Sequence, residues 1–171
     1  MHEFSYPFEM ADVGSGGRTF AFAADDGQRL ALGARLGLQD VLKLAVSGEV
    51  SALDDDRTLL VRGKFSAVVV QNCVVTLDPV KSNLEDTFEL RYIPAADWTA
   101  DLQREVEISP DESDVEPFEG SSIDLGAVVA EYLALALDPY PRKSGVEFTF
   151  DAAPRDEQGP FAGLAKLRNK V

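Results

Sequence analysis

The sequence contains few of the residues on which metal sites and many enzymes depend. Among 171 residues there is one cysteine, Cys73, and one histidine, His2. A single cysteine excludes a disulfide within the chain and a metal site built from several cysteines. A structural zinc ion is held by four ligands, a number that Cys73 and His2 together do not reach. We therefore predict that the protein holds no metal ion and no cofactor, and that Cys73 is a small buried residue in a strand.

Sequence signatures of catalysis are also absent. A serine or cysteine nucleophile commonly relies on an oriented base, usually histidine, and His2 lies at the N-terminus, where chains tend to fray. The chain has no Gly-x-Ser-x-Gly, no His-Glu-x-x-His and no phosphate-binding signature. Neighbouring carboxylates are frequent, but an acidic chain is expected to contain them. We predict a protein that is not an enzyme and has no small-molecule substrate; the alternative is a small carboxylate-dependent hydrolase.

Basic residues and long apolar runs are scarce as well. Sixteen Lys and Arg residues stand against 30 Asp and Glu, for a net charge of −14. Such a surface repels a phosphate backbone at long range, which disfavours direct RNA binding outside a local basic patch. No apolar run of about 18 residues is present, and the first residues lack the basic and apolar regions of a secretory signal. We predict a cytoplasmic protein without a membrane partner.

What the sequence does contain is a long β-rich stretch at 59–94. Its first part, 59–75, is rich in β-branched residues and has no proline, which predicts a central strand. Asp78-Pro79 and Ser82-Asn83 predict a break. The segment 86–93 then alternates apolar and polar residues, which predicts a strand with one buried and one wet face. The stretch is therefore predicted to form the core hairpin of the protein.

The remaining pattern predicts a single α+β domain over 1–171. We expect an antiparallel sheet, open or partly closed, of about five to seven strands, together with three helices. A long acidic loop is predicted at about 95–119. The helices are predicted at 25–36, 123–137 and 160–170; the other strands are predicted at 4–8, 19–22, 41–53 with a bulge near Gly48, and 146–150.

Three blocks of the chain, 61–80, 123–142 and 160–170, occur in the order found in a known family. VRGKFSAVVVQNCVVTLDPV, IDLGAVVAEYLALALDPYPR and PFAGLAKLRNK together resemble the YceD family, the large ribosomal RNA subunit accumulation proteins. The resemblance implies a cytosolic protein needed for accumulation of large-subunit (23S) ribosomal RNA, and hence a role in ribosome biogenesis. Many members carry Cys-x-x-Cys in the central turn, where this chain has Cys73 and Thr76, so the second thiol is missing.

The resemblance and the charge together predict a protein that binds a large-subunit ribosomal protein or a ribosomal precursor particle. The acidic surface would attract basic ribosomal proteins. The alternative is direct contact with ribosomal RNA through two short basic patches, at 142–143 and 166–170. The candidate partner contacts follow the second predicted helix or belong to the third: Asp138, Pro139, Tyr140, Pro141, Arg142, Phe161, Lys166, Arg168 and Lys170.

Overall fold

The computed structural model of the chain describes residues 4–14, 16–53, 58–96, 98 and 114–148. Among these residues are seven strands, two complete α-helices and one 3-10 turn, Met10–Asp12. The strands are β1 (Pro7–Glu9), β2 (Arg18–Ala23), β3 (Asp40–Ala52), β4 (Leu59–Asn72), β5 (Pro79–Pro94), β6 (Asp114–Phe118) and β7 (Ser122–Asp124). The helices are α1 (Asp26–Leu36) and α2 (Leu125–Ala136).

Five strands form one sheet in the order β2-β3-β4-β5-β6, and β1 pairs with β7 in a separate two-stranded sheet. Strands β2 to β5 are antiparallel neighbours, whereas β6 runs parallel to β5. The α+β class is confirmed, but the prediction of an all-antiparallel sheet is wrong. Residues 95–113 separate β5 from β6, and a connection of that length allows the crossover that parallel neighbours require. Because β2 and β6 are the two ends of the strand order, strand pairing among the described residues does not close the sheet.

The central hairpin is longer than its sequence predicts. β4 and β5 pair from Leu59 and Tyr92 to Asn72 and Pro79. Ser82 and Asn83, predicted to break the pattern, lie inside β5 and pair with β4. That prediction is wrong because β4 offers an unbroken ladder of hydrogen bonds, and strand pairing overrides weak local propensity. Pro79 is the first residue of its strand, a position where a missing N–H is tolerated.

The bulge of β3 lies at its beginning and not at Gly48. The register with β4 shifts between Val41 and Lys43, whereas Gly48 pairs regularly with Gly63. Val41 and Leu44 are both 1% exposed, although residues three apart in a regular strand face opposite sides. The extra residue, Leu42, brings both side chains onto the buried face. The odd spacing of these two apolar residues is the physical reason for the bulge.

Both helices begin at an aspartate whose side chain caps the first turn. Asp25 caps α1 in a capping box with Gln28, and Gly37 ends the helix with φ +66°, a conformation that glycine adopts without strain. Asp124 caps α2. The predicted start at 123 is two residues early, because Ser122–Asp124 forms β7. The third predicted helix, 160–170, lies outside the described residues.

Two further predicted segments differ from the structure. Within the predicted acidic loop, Ala95, Ala96 and Trp98 are helical and Asp114–Phe118 forms β6, whereas 97 and 99–113 lie outside the described residues. The predicted strand at 146–150 is wrong for its described part: Val146 instead closes a turn by donating its N–H to Lys143 O at 3.2 Å, and 146–148 joins no sheet.

The core lies between one face of the five-stranded sheet and α2, with β1 and β7 beside the helix. The rings of Phe88 on β5 and Tyr132 on α2 lie 5.3 Å apart between centroids. Glu131 is exposed, so it lies beside the apolar stripe of α2 and not within it. The chain leaves α2 at the end of the sheet where β4 turns into β5. Fully buried side chains come from the sheet and from both helices, among them Leu32, Leu44, Val61, Val69, Leu125, Val129 and Leu133.

Candidate functional site

The predicted contacts at 138–142 form an exposed segment directly after α2. Asp138, Pro139, Tyr140 and Arg142 are exposed, whereas Pro141 is buried. Tyr140 leaves 72% of its surface in water. The proline residues end the helix, as the sequence predicts. The other predicted contacts, Phe161, Lys166, Arg168 and Lys170, lie outside the described residues.

This segment is bound to the end of β4 and to the turn that follows it. The Gln71 side chain donates from Nε2 to Asp138 O at 2.9 Å. The Val74 N–H donates to Pro141 O at 2.9 Å. We call residues 71–78 together with 138–143 the junction. Because these partners are about 67 residues apart in sequence, the junction is a product of the fold and carries no local sequence signal.

Lys143 makes two further contacts across the junction. Its N–H donates to Cys73 Sγ at 3.5 Å, and its Nζ donates to Asp78 Oδ2 at 3.0 Å. The Lys143 ammonium, followed by the Thr76 hydroxyl, lowers the pKa of the Asp78 carboxyl. The turn and the segment after α2 are therefore joined by main-chain, side-chain and charged contacts.

The turn between β4 and β5 has an unusual backbone. Cys73 N–H donates to Asp78 O at 2.8 Å, and Leu77 N–H donates to Cys73 O at 2.9 Å. Leu77 has φ +63° and is the one non-glycine residue with positive φ among those that the structure describes. Its side chain is 72% exposed. No sequence pattern indicates this conformation, because leucine is disfavoured there.

Cys73 is buried, as predicted, but it lies one residue beyond the end of β4. The Thr76 hydroxyl and the N–H groups of Lys143, Thr76 and Val75 stabilise its thiolate, which lowers the pKa of Cys73 to about 6. Thr76 is a hydrogen-bonding neighbour of the thiol. Among the described residues no three His, Cys, Asp or Glu side chains are placed to hold a metal ion.

The depressed pKa of Cys73 predicts a pH dependence of stability. Between about pH 6 and the ordinary thiol pKa near 8.5, the unfolded chain binds a proton at Cys73 that the folded protein does not. Stability from this group is therefore fully present above the unfolded pKa and is lost as pH falls through about 6. We expect Cys73→Ser to remove this dependence, since serine does not titrate in that range. Melting temperatures measured from pH 5.5 to 9 should rise more in the original protein than in the variant, and parallel curves would contradict the assignment.

A second cluster of polar side chains lies at the opposite end of the β4–β5 hairpin from the junction, between β5, β6 and α2. The Tyr92 hydroxyl donates to Glu116, its partner in the strand register, and Tyr132 donates to Asp114. Burial, followed by the nearby carboxylates, raises the pKa of both tyrosines. Burial also raises the pKa of Glu116. Sequence reasoning missed this cluster because it placed 114–118 in a loop.

The outer face of the sheet carries a shallow groove of about 610 Å³. Its lining includes the small side chains of Ala45, Ser47 and Ser66 and charges of both signs, with Lys64 opposite Thr87 and near Glu85. On the adjoining part of this face, Arg62 Nε donates to Glu89 Oε2 at 2.6 Å. Since the cations and carboxylates alternate, this face is not a basic surface of the kind that follows a phosphate backbone.

No helix in the described part of the chain is long and apolar enough to cross a membrane.

Comparison with known protein families gives a match to this chain. The family model for the large ribosomal RNA subunit accumulation protein YceD matches residues 61–168, which is more than half of the chain and includes the junction and all but the first two residues of the central hairpin. No curated protein and no solved structure shows a significant match. The resemblance seen in the sequence is confirmed, and the chain belongs to the YceD family of large ribosomal RNA subunit accumulation proteins.

Proposed function

We propose that the protein is a non-enzymatic factor of large-subunit biogenesis in the cytoplasm, and that it acts by binding a ribosomal protein or a precursor particle. The observation that carries the proposal is the family match over 61–168. The family description names the accumulation of large-subunit ribosomal RNA, and the amount of this RNA depends on assembly of the subunit. A protein that protects or assists an assembling particle would raise the amount of this RNA by binding alone.

The charge of the chain favours a protein partner over bare RNA. The net charge of −14 attracts basic ribosomal proteins and repels phosphates. Of the two basic patches, the one at 142–143 is half neutralised, because Lys143 pairs with Asp78. The other, 166–170, lies outside the described residues. Direct contact with ribosomal RNA is the alternative, and the experiment must distinguish it from binding to a ribosomal protein.

The exposed segment at 138–142 is the proposed contact. Its main chain is fixed by bonds to Gln71 and Val74, while Tyr140 and Arg142 remain exposed. A segment that is already ordered loses little conformational entropy when a partner binds it. Tyr and Arg are also the side chains most often found at the centres of protein interfaces.

The proposal predicts that cells lacking the protein contain less 23S relative to 16S ribosomal RNA, and that the purified protein co-sediments with large-subunit precursors. Binding should persist at moderate salt, because apolar contacts contribute to it. The measurement is RNA quantification together with sucrose-gradient sedimentation. An unchanged RNA ratio would overturn the role in biogenesis; tight binding to protein-free 23S RNA with a steep salt dependence would favour direct RNA contact.

A further inference from the structure

We propose that the turn between β4 and β5 supplies the second half of the partner contact: Val74 and Leu77, together with Tyr140, form a docking surface for an apolar segment of a basic ribosomal protein. This inference rests on the proposed function and extends it to residues that sequence reasoning did not select. The occupant is a protein, and RNA or a second copy of the chain are alternative outcomes of the test below.

The three side chains are apolar or aromatic and are exposed on segments that are bound to each other. Val74 is 47%, Leu77 72% and Tyr140 72% exposed. Val74 bonds through its N–H to Pro141 O, and Tyr140 directly precedes that proline. The residue after Leu77, Asp78, pairs with Lys143 at 3.0 Å. Exposed apolar groups gathered in this way are typical of protein interaction sites.

Leu77 is unfavourable in the free protein for two reasons. Its φ of +63° lies in the left-handed region, where glycine or asparagine would be less strained. Its exposed side chain also places apolar surface in water. With 72% of its surface exposed, it contributes little to packing of the fold. Strained residues that the fold does not need are concentrated at binding sites, and a partner that buries Leu77 accounts for the side chain.

The surface is rigid before a partner arrives. Bonds from Cys73 N–H to Asp78 O and from Leu77 N–H to Cys73 O close the turn. The Lys143 N–H bond to the buried Cys73 sulfur fixes it to the segment after α2. A preorganised surface loses little entropy on binding.

The local charges identify the class of partner. Asp78 and Lys143 pair with each other, and Asp138 and Arg142 add one charge of each sign, so the junction has no net charge within a chain of net charge −14. A basic protein is attracted by the chain as a whole and makes apolar contact at the junction. RNA would instead need several unpaired cations at the same place. The combination therefore favours a basic protein with an apolar segment.

The test uses Leu77→Asn, because asparagine tolerates positive φ but lacks the apolar side chain. We expect a melting temperature equal to or higher than that of the original protein, together with about tenfold weaker binding to large-subunit precursor particles purified from cells that lack the protein. Val74→Thr, which keeps the shape, should weaken binding to a smaller degree. The matched control is Leu30→Gln on α1, where a leucine 77% exposed lies outside the junction.

Each outcome either supports or contradicts the proposed docking surface. Weaker binding by Leu77→Asn with unchanged binding by Leu30→Gln supports the surface. Undiminished binding by Leu77→Asn, or equal losses in both variants, overturns it while leaving the proposed function in place, whereas failure of the original protein to bind any precursor overturns both. A dimer of the original protein that Leu77→Asn converts to a monomer would assign the surface to a second copy, and a loss of binding to protein-free 23S RNA would assign it to RNA; either contradicts the proposal.

Discussion

Replacing Gly48 by alanine is expected to destabilise the fold by about 3 kcal/mol or more, at the upper end of what overpacking of a core costs. A Cβ atom at this position would lie closer than 3.0 Å to Arg62 O, to Phe20 Cζ and to Gly63 Cα. Two of these three atoms belong to the main chain of β4. Relief would therefore require separation of β3 from β4, the pair at the centre of the sheet.

The loss of stability in Gly48→Ala follows from the packing of phenylalanine rings over the central strands. Gly48 and Gly63 pair with each other, Phe20 pairs with Gly48, and Phe88 pairs with Gly63. The two phenylalanine rings, 6% and 4% exposed, lie over the two glycines and replace the side chains that these lack. A Cβ on Gly63 would meet the Phe88 ring, so Gly63→Ala should also be destabilising. Its cost should be lower, because a ring shifts more easily than a main chain.

Urea denaturation measures the free energy of unfolding and provides the comparison. The matched control is Gly14→Ala, where a Cβ meets nothing within 4 Å. Equal stability of Gly48→Ala and Gly14→Ala would show that β3 and β4 do not approach as closely as described.

The features that were predictable from sequence are those with a local physical cause. Asp25 and Gly37 mark the ends of α1, because capping and a left-handed residue need only neighbouring atoms. The long strand β4 follows from its β-branched run. The errors arise where pairing with a strand distant in sequence determines the backbone conformation. Ser82 and Asn83 are extended because β4 lies beside them, and β6 is a strand because it pairs with the edge of β5.

Only part of the candidate site was likewise predictable from the sequence. The exposed stretch from Asp138 to Arg142 was predictable, since its prolines end a strongly apolar helix. The turn at Val74 and Leu77 was not, because its place beside Pro141 depends on contacts between distant parts of the chain. The positive φ of Leu77 contradicts its residue preference. Departures of this kind are expected where function, and not folding, selects the residue.

The second large loss of stability is expected at Asp124, because one oxygen of its carboxylate joins α2 to the segment before β1. Its Oδ1 accepts from Tyr6 N–H at 2.8 Å, from Gly126 N–H at 3.0 Å and from Ala127 N–H at 3.3 Å. The return bond runs from Leu125 N–H to Tyr6 O at 3.0 Å. The side chain is thus both the cap of the helix and the anchor of the N-terminal segment.

We expect Asp124→Ala to lower the free energy of unfolding by about 3 kcal/mol, because a lost cap costs about 1 and an unpaired, partly buried donor costs about 1 to 3. Asp124→Asn is the matched control, because its amide oxygen still accepts these bonds although the charge is lost. Hydrogen exchange separates the two roles, since the Tyr6 amide should lose protection in Asp124→Ala and keep it in Asp124→Asn. If both variants destabilise the protein equally, the charge acting on the helix dipole, and not the shared oxygen, stabilises this corner of the fold.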